Sequence, residues 1–208
     1  MRPITIVVAT GNAHKVTEMA AALNIPGVTL VPVSEVDPDW PAPEETGTTF
    51  EDNAAIKALD VAERYRCAAL ADDSGLVVDA LHGRPGVFSA RFAGPNATDA
   101  ENNARLLDDL ADVAAGERTG RYVSVLVLAG LDNLAEGAPA FLTAAGTCDG
   151  TIEFAPRGDN GFGYDPLFAP DVAGGRTMAE LTLEEKNAIS HRGNALAALS
   201  ATLTDILA

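Results

Sequence analysis

Two adjacent carboxylates at the end of a short apolar run constrain this chain more than any other feature. The run Cys67–Ala71 is too short for an ordinary helix and predicts the end of a buried strand. Asp72-Asp73-Ser74-Gly75 follows, and a second apolar run covers Leu76–Val78. The pattern predicts a break in a sheet, where Gly75 permits a sharp change of direction. Two buried carboxylates need a partner, which a divalent metal supplies. A polar loop that closes a hairpin is the alternative interpretation.

Composition limits the class of protein. The chain has 208 residues, of which 47% are hydrophobic, and this suits one large domain or two lobes that share a core. A formal net charge of −16 disfavours binding to nucleic acid polymers or anionic membranes, but it permits a small polyanionic ligand beside local cations. Cys67 and Cys148 lie in apolar surroundings and are expected to be free thiols. With no leader pattern and no membrane-length run, we expect a soluble cytoplasmic protein.

The first fifty residues predict a strand, a turn and a helix. Ile4–Ala9 is apolar and rich in β-branched residues, which is typical of a buried strand. A helix is predicted over Lys15–Leu23, so Thr10–Lys15 lies at a strand-to-helix turn. Backbone N–H groups at a helix start attract anions, and Lys15 adds a charge, although the spacing is not that of a Walker A loop. A helix capped by Asn12 with a solvated lysine is the equally weighted alternative.

A second segment of interest precedes a longer predicted helix. Pro38–Gly47 is rich in proline and glutamate and is expected to be a surface loop. Thr48-Thr49-Phe50-Glu51 reads as a capping box, with a helix from about Thr49 to Arg66. Asn53 and Lys57 lie four residues apart and therefore share a face of this helix. Ordinary surface charges remain the alternative for Lys57 and the paired glutamates. The apolar side of the helix is predicted to carry Phe50, Ala54, Ile56, Leu59 and Ala62.

The central part of the chain indicates a mixed sheet. Strands are predicted over Val28–Val33, Leu76–Leu81 and Arg121–Leu131, with Ala140–Thr147 as an antiparallel neighbour of the last. Thr98-Asp99-Ala100-Glu101 is a second capping box, and its helix is expected to reach about Ala111 with Leu106, Leu107 and Leu110 inward.

A glycine-dense stretch and a basic cluster occupy the last third. Arg157–Pro166 holds three glycines and two aromatic residues, which favours a backbone that approaches a flat ligand, with a well-packed Ω-type loop as the alternative. Thr182–Glu185 is a third capping box. Lys186, His191 and Arg192 follow closely in a chain that is poor in cations, although a basic surface pair is the commoner situation.

Five motifs together resemble a known family. They are Thr10–Lys15, Glu44–Gly47, Ala71–Gly75, Phe162–Pro166 and Ser190–Arg192. In this order and spacing they are similar to those of the pyrophosphatases that act on non-standard purine nucleoside triphosphates, the ITP/XTP family. The likeness covers nearly the whole chain, from about Ile6 to the C-terminal helix. It implies one domain over residues 1–208, with a mixed α/β fold, a long central sheet flanked by helices, and two lobes with an active-site cleft between them.

The resemblance also implies an activity and roles for named residues. ITP, dITP or XTP would be hydrolysed to the monophosphate and pyrophosphate by a Mg²⁺-dependent homodimer. Asp73 would be the general base and a metal ligand, and Glu45 the other metal carboxylate, whereas the role of Asp72 stays open between direct ligation and support. The substrate-binding residues would be Thr10, Gly11, Asn12, Ala13, His14 and Lys15 at the phosphates, Phe162, Gly163, Tyr164 and Asp165 at the base and sugar, and Lys186, His191 and Arg192 at the six-position oxygen and the neighbouring edge. Ser74 would also contact the substrate.

Elementary chemistry agrees with these roles. Attack at the α-phosphorus needs charge neutralisation, to which Lys15 and Lys57 can contribute. A Lys or Arg side chain donates a hydrogen bond to the six-position oxygen of inosine or xanthine, whereas it cannot pair with the amino group of adenine, which is also a donor. Two other functions stay open: a nucleotide-binding or sensor protein without turnover, and a phosphatase that releases orthophosphate.

Overall fold

A six-stranded mixed sheet is the framework of the structure, a computed structural model that describes residues 3–23, 25–134 and 137–207. The strands are β1 (Ile4–Val8), β2 (Val28–Pro32), β3 (Ala68–Val78), β4 (Thr119–Ala129), β5 (Phe141–Ile152) and β6 (Phe168–Pro170). Their order in the sheet is β2-β1-β3-β4-β5-β6. β1 pairs in parallel with β2 and with β3, where Ile6 lies opposite Ala68, whereas β5 and β6 are antiparallel. The predicted mixed α/β fold is therefore confirmed.

Helices flank the strands along the chain. They are α1 (Ala13–Ala22), α2 (Val33–Val36), α3 (Phe50–Tyr65), α4 (Asp99–Asp109), α5 (Leu183–Ile189) and α6 (His191–Leu207). Short 3₁₀ helices cover Asp79–Leu81, Gly86–Arg91, Ala115–Glu117, Leu131–Asn133, Asp171–Ala173 and Met178–Glu180. Across the part of the chain described, no helix is both long and apolar enough to cross a bilayer.

The chain divides into two compact units. The first comprises the residues up to Asp73, Ser124–Gly146 and the chain from Arg192 onward. Within it, alternate residues of β1, β3 and β4 face opposite sides of the sheet, as strand geometry requires. One side buries Ile6, Leu70 and Leu128 with residues of α1 and α6, and the other packs small residues against Ala54 and Ala58 of α3. Both faces are covered, which explains why these strands read as continuous apolar runs.

The second unit comprises Ser74–Val123 and Thr147–His191. Its core gathers Leu76 and Phe168 from strands and Leu106 and Leu110 from α4. Capping boxes at Thr98 and Thr182 are confirmed, and the structure adds a third in this unit, at Thr177–Glu180. The predicted inward positions of Leu106 and Leu110 are correct, while Leu107 packs against the core only partly buried.

The predicted break at the paired acids is wrong. β3 runs without interruption from Ala68 to Val78, so Asp72 and Asp73 lie inside a strand, and Gly75 is buried there rather than turning the chain. Two acids and a glycine have low strand propensity, but pairing with buried neighbours outweighs that preference.

Other predicted boundaries need smaller corrections. Thr49, rather than Thr48, caps α3, because its side chain accepts from the Asp52 backbone N–H. Leu59 is 38% exposed and does not belong to the buried side of α3, which instead includes Asn53 and Lys57. The strand expected to reach Val33 ends at Pro32, and Val33 is instead the first residue of α2.

Candidate active site

Adjacent positions in β3 give the two acids different surroundings. Side chains alternate along a strand, so Asp72 and Asp73 point to opposite faces of the sheet. Asp72 is 1% exposed and Asp73 is 7% exposed, and each has cationic partners of its own. The pair is therefore two separate carboxylate sites rather than a single dyad.

Asp73 belongs to a cluster that α3 assembles. Lys57 Nζ lies 2.8 Å from Asp73 Oδ1 and 3.1 Å from Glu45 Oε1, and it also donates to the Asp72 carbonyl oxygen at 3.3 Å. Asn53 Nδ2 lies 3.5 Å from the other oxygen of Asp73. Because Asn53 and Lys57 are one helical turn apart, the predicted shared face is confirmed, and it is directed at Asp73.

The loop that carries Glu45 is attached to the same helix. The Gly47 N–H donates to Asn53 Oδ1 at 2.9 Å. A Cβ at position 47 would lie 2.5 Å from the Asp52 Cβ and 2.6 Å from Asn53 Oδ1. Only glycine allows this close approach, which keeps Glu45 within reach of Lys57.

Burial and charge act in opposite directions on this cluster. Burial raises the pKa of Asp73 above its usual value, and the attraction of Lys57 only partly offsets that effect. Burial alone would lower the pKa of Lys57, but the charge of Asp73 outweighs it and raises that pKa. Asp73 is thus a buried carboxylate with increased proton affinity beside a permanent ammonium, as a general base requires.

Asp72 lies in a separate network of cations. Its Oδ1 accepts from Ser124 Oγ at 2.5 Å, and its Oδ2 lies 2.9 Å from both Arg192 Nη2 and Lys15 Nζ. Arg192, 1% exposed, also donates to buried Glu18. Burial alone would raise the pKa of Asp72, but Arg192 and Lys15 outweigh it and hold that pKa well below its usual range. Asp72 is therefore ionised and supports two cations.

The predicted anion-binding turn has the geometry of a capped helix start. Asn12 Oδ1 accepts from the backbone N–H groups of His14 and Lys15, at 2.9 and 3.2 Å. The Asn12 N–H in turn donates to Thr10 Oγ1 at 3.1 Å. Burial lowers the pKa of Lys15 although Asp72 opposes the effect. Gly11, Ala13 and His14 are exposed at this end of α1.

In the second unit, Asp165 organises the glycine-rich loop. Its Oδ2 accepts from the Phe162 N–H at 2.9 Å and from Lys186 Nζ at 2.5 Å, and its Oδ1 accepts from Tyr122 Oη at 3.2 Å. Lys186 Nζ lies 4.9 Å from the centre of the Phe162 ring. The loop thus presents an aromatic face beside a buried ammonium.

Tyr122 is a member of this group that the sequence did not reveal. Its ring stacks on His191, with centroids 4.6 Å apart and planes inclined by 14°. Nothing in a strand sequence distinguishes it from a core tyrosine. Tyr164, by contrast, is buried and donates to the Ser89 carbonyl oxygen at 2.8 Å, which is a packing role. Ser74 is half-buried in β3 directly after Asp73.

The residues around Lys57 are suited to a divalent cation. Within the described ranges, no group of three or more Asp, Glu, His or Cys side chains is placed to hold a metal alone. Glu45 and Asp73, from different segments, nevertheless converge on one ammonium nitrogen, so both already serve as oxygen ligands to a cation. Mg²⁺ is commonly held by one or two carboxylates, with water and substrate phosphate oxygens completing its shell. This donor set meets that requirement.

Fold and site together define an α/β protein equipped for a phosphate-bearing ligand and a divalent cation. The Ham1 family model matches residues 6–202, so the chain belongs to the Ham1 family.

Named relatives cover almost the whole chain. A protein of Exiguobacterium sibiricum named dITP/XTP pyrophosphatase is 50% identical over 203 residues, which is 97% of this chain and 98% of the relative. One of Geobacter sulfurreducens with the same name is 50% identical and covers 93% of this chain and 94% of its own. The solved HAM1 protein of Coxiella burnetii superposes with a TM-score of 0.83 at 44% identity, covering 97% of this chain and 99% of its own.

Proposed function

We propose that this protein is an enzyme that hydrolyses ITP, dITP and XTP to the monophosphate and pyrophosphate. The curated relatives at 50% identity carry the name of that activity. The observation that carries the proposal in this chain is the buried cluster in which Lys57 contacts both Asp73 and Glu45. Removal of such compounds cleanses the nucleotide pool.

Asp73 is the proposed general base. It accepts a proton from a water whose oxygen forms a bond to the α-phosphorus. The bond from that phosphorus to the oxygen bridging to the β-phosphate breaks, and pyrophosphate leaves. When bound by Glu45 and Asp73, Mg²⁺ would supply neutralisation of the charge on the phosphate oxygens. Burial of Asp73 favours proton acceptance, since it raises the pKa of this carboxyl.

Phosphate binding is assigned to the start of α1 and to two lysines. The helix start from Thr10 to Lys15 offers its positive dipole to an anion, and Asn12, which caps the N–H groups of His14 and Lys15, lies at the same end. Lys15 and Lys57 add charge that Asp72 and Asp73 hold in place. Ser74 follows the base in β3 and is assigned a contact with substrate.

Base recognition is assigned to the second unit. The Phe162 ring is the proposed stacking surface within Phe162–Asp165, and Lys186 and His191 are the proposed donors to the six-position oxygen. The family resemblance assigns Arg192 to the same oxygen, and the ion pairs of Arg192 with Glu18 and Asp72 compete with that role. Lys186 also pairs with a carboxylate, that of Asp165, but it lies beside the proposed stacking ring of Phe162 and is therefore the residue to substitute in a test of oxo-purine selectivity.

The remaining proposals concern localisation, oligomeric state and the class of ligand. We propose a cytoplasmic homodimer that acts on free nucleotides and binds no nucleic acid polymer or membrane. The net charge of −16 supports this choice of ligand, because a long polyanion is repelled while a small one is offset locally.

Product analysis tests the activity directly. Purified protein is given ITP, XTP, GTP or ATP with Mg²⁺ or with excess chelator, and pyrophosphate and orthophosphate are measured separately. We expect pyrophosphate from ITP and XTP, little turnover of GTP and ATP, and none without metal. Orthophosphate as the first product would identify a phosphatase, and tight ITP binding without any product would identify a nucleotide sensor.

A further inference from the structure

Helix α4 holds both backbone groups of one residue in the glycine-rich loop. The Gly163 N–H donates to Asp99 Oδ2 at 2.6 Å. The Gly163 carbonyl oxygen accepts from Asn103 Nδ2 at 2.8 Å. Asp99 and Asn103 lie four residues apart and so project from the same face of α4. Neither residue belongs to the five motifs, and both contacts join segments that are far apart in the sequence.

The orientation of the Asn103 amide follows from its partner. A carbonyl oxygen accepts only, so the nitrogen of the amide must face Gly163. The other end, Asn103 Oδ1, is buried and has no hydrogen-bond partner among the described residues. Burying a polar atom without a partner costs free energy. In Asn103 this cost accompanies the hydrogen bond that its Nδ2 donates to Gly163.

The helix is a rigid support for these two side chains. Its first turn is closed by the reciprocal hydrogen bonds of Thr98 and Glu101. Leu106 and Leu110 anchor it in the core of the second unit. Asn102 further ties it to the chain before it, accepting from the Ala93 N–H at 2.8 Å. A displacement of Gly163 therefore has to break contacts to a fixed element.

The conformation of Gly163 in the loop is held by hydrogen bonds. Its φ of +62° is a left-handed conformation, and a Cβ there would meet no atom within 4 Å. On one side, Asp165 accepts from the preceding N–H, that of Phe162. On the other side, two hydrogen bonds to α4 hold the Gly163 N–H and carbonyl oxygen, and the Phe162 carbonyl oxygen accepts from the Asp165 N–H at 3.2 Å within the loop.

We propose that Asp99 and Asn103 are positioning residues for purine binding. They fix Gly163 and thereby the direction of the Phe162 ring and the Asp165 carboxylate, without touching the substrate. The inference rests on the proposed role of the loop in binding the base of a purine nucleoside triphosphate. Loss of either contact loosens the loop, which weakens binding of substrate and transition state alike, so KM rises while kcat is retained.

The test combines hydrogen exchange with ITP kinetics. Asp99→Ala removes one contact, and Asn103→Leu removes the other while filling the space. We expect faster amide exchange in the peptide that contains Phe162–Tyr164 in both variants. KM for ITP should rise about tenfold in Asp99→Ala and about threefold in Asn103→Leu, with kcat within about twofold of the parent. The double variant should resemble the more severe single one, because residues that act as one clamp are not additive.

Two further variants separate positioning from a general loss of structure. Asp108→Ala removes an exposed carboxylate from the same helix and should behave as the parent in both assays. Asp99→Asn keeps an acceptor oxygen and should restore KM to within about twofold. Unchanged exchange in the loop, or faster exchange with unchanged KM, would overturn the proposal. If the parent protein itself releases no pyrophosphate from ITP, the proposed function fails, and the exchange result alone still decides whether α4 holds the loop.

Discussion

At the scale of single residues, the two acids of β3 have different cationic partners, which supports a catalytic role for Asp73 and a supporting role for Asp72. Asp73 faces Lys57 and Glu45, whereas Asp72 faces Ser124 and the cations of Lys15 and Arg192. The sequence indicates a functional site at both acids but leaves the role of Asp72 open between direct ligation and support. Strand alternation puts the Asp72 side chain on the opposite face from that of Asp73, which favours support over direct ligation as its role.

Asp73→Asn should abolish most turnover while the protein stays folded. The amide has nearly the same size, but it takes no proton and is a poor magnesium ligand. We expect kcat for pyrophosphate release from ITP to fall by a factor of about 10² to 10⁴. Asp108→Asn, on the exposed side of α4, is the matched control and should keep parental activity. A folded Asp73→Asn variant with parental kcat would remove this residue from catalysis.

Asp72→Asn should instead reduce stability. The change leaves buried Arg192 and Lys15 without their shared counter-charge, and breaking a buried ion pair from one side costs about 3–5 kcal/mol. Urea unfolding measures the loss. Asp109→Asn is the control, because Asp109 also serves two arginines, Arg84 and Arg105, that are half exposed; it should cost less than about 1 kcal/mol. Equal losses in the two variants would contradict the support role.

At the scale of elements, the helices were easier to predict than the long strands. Capping boxes are local signals, so the starts of α4 and α5 were predicted at the residue where they occur. β3 was divided in two because acids and glycine resemble a loop when neighbouring strands are unknown. The same limit hid Asn103, whose contact with Gly163 joins residues 60 positions apart. Local patterns determine helix ends, while pairing across the sheet determines how long a polar strand can run.

Gly47→Ala should weaken Mg²⁺ binding by displacing the loop that carries Glu45, although no proposed ligand is changed. A methyl group at 47 collides with Asp52 and Asn53, so the loop that carries Glu45 must move away from α3. We expect the Mg²⁺ concentration for half-maximal pyrophosphate release to rise about tenfold or more. Gly116→Ala, where a Cβ meets nothing within 4 Å, is the matched control. An unchanged magnesium midpoint in Gly47→Ala would show that the close approach is not needed.

At the scale of the whole molecule, the distribution of lysine is informative. The chain has three lysines, Lys15, Lys57 and Lys186, and each contacts a buried or half-buried carboxylate of the candidate site. An acidic protein ordinarily carries lysines on its surface. The sequence shows that lysine is rare in this chain, but surface positions remain an alternative for Lys57 on that evidence alone. Pairing with Asp72, Asp73 and Asp165 required the fold.

The two cysteines provide a probe in each compact unit, and Cys148 has the clearer expected behaviour. Burial, aided by the charges of Asp149 and Asp171, raises the pKa of this thiol to about 11. The reactive form is the thiolate. In a Cys67→Ala background, alkylation of native protein should therefore accelerate about tenfold per pH unit from pH 8 and level off near pH 11, whereas urea-unfolded protein should level off near pH 9.

The same shift predicts how stability changes in alkali. The folded pKa of Cys148 lies above the unfolded value, so above about pH 9 the unfolded chain loses this proton first. The stability linked to the protonated thiol is fully present below that pH and is lost as pH rises toward 11. Urea unfolding of Cys67→Ala at pH 8 to 10.5 should show a steeper decline than the same variant carrying Cys148→Ala, in which the thiol is absent. Parallel declines, or native alkylation at pH 8 as fast as in urea, would show that Cys148 titrates as an exposed thiol and that the second unit opens around β5.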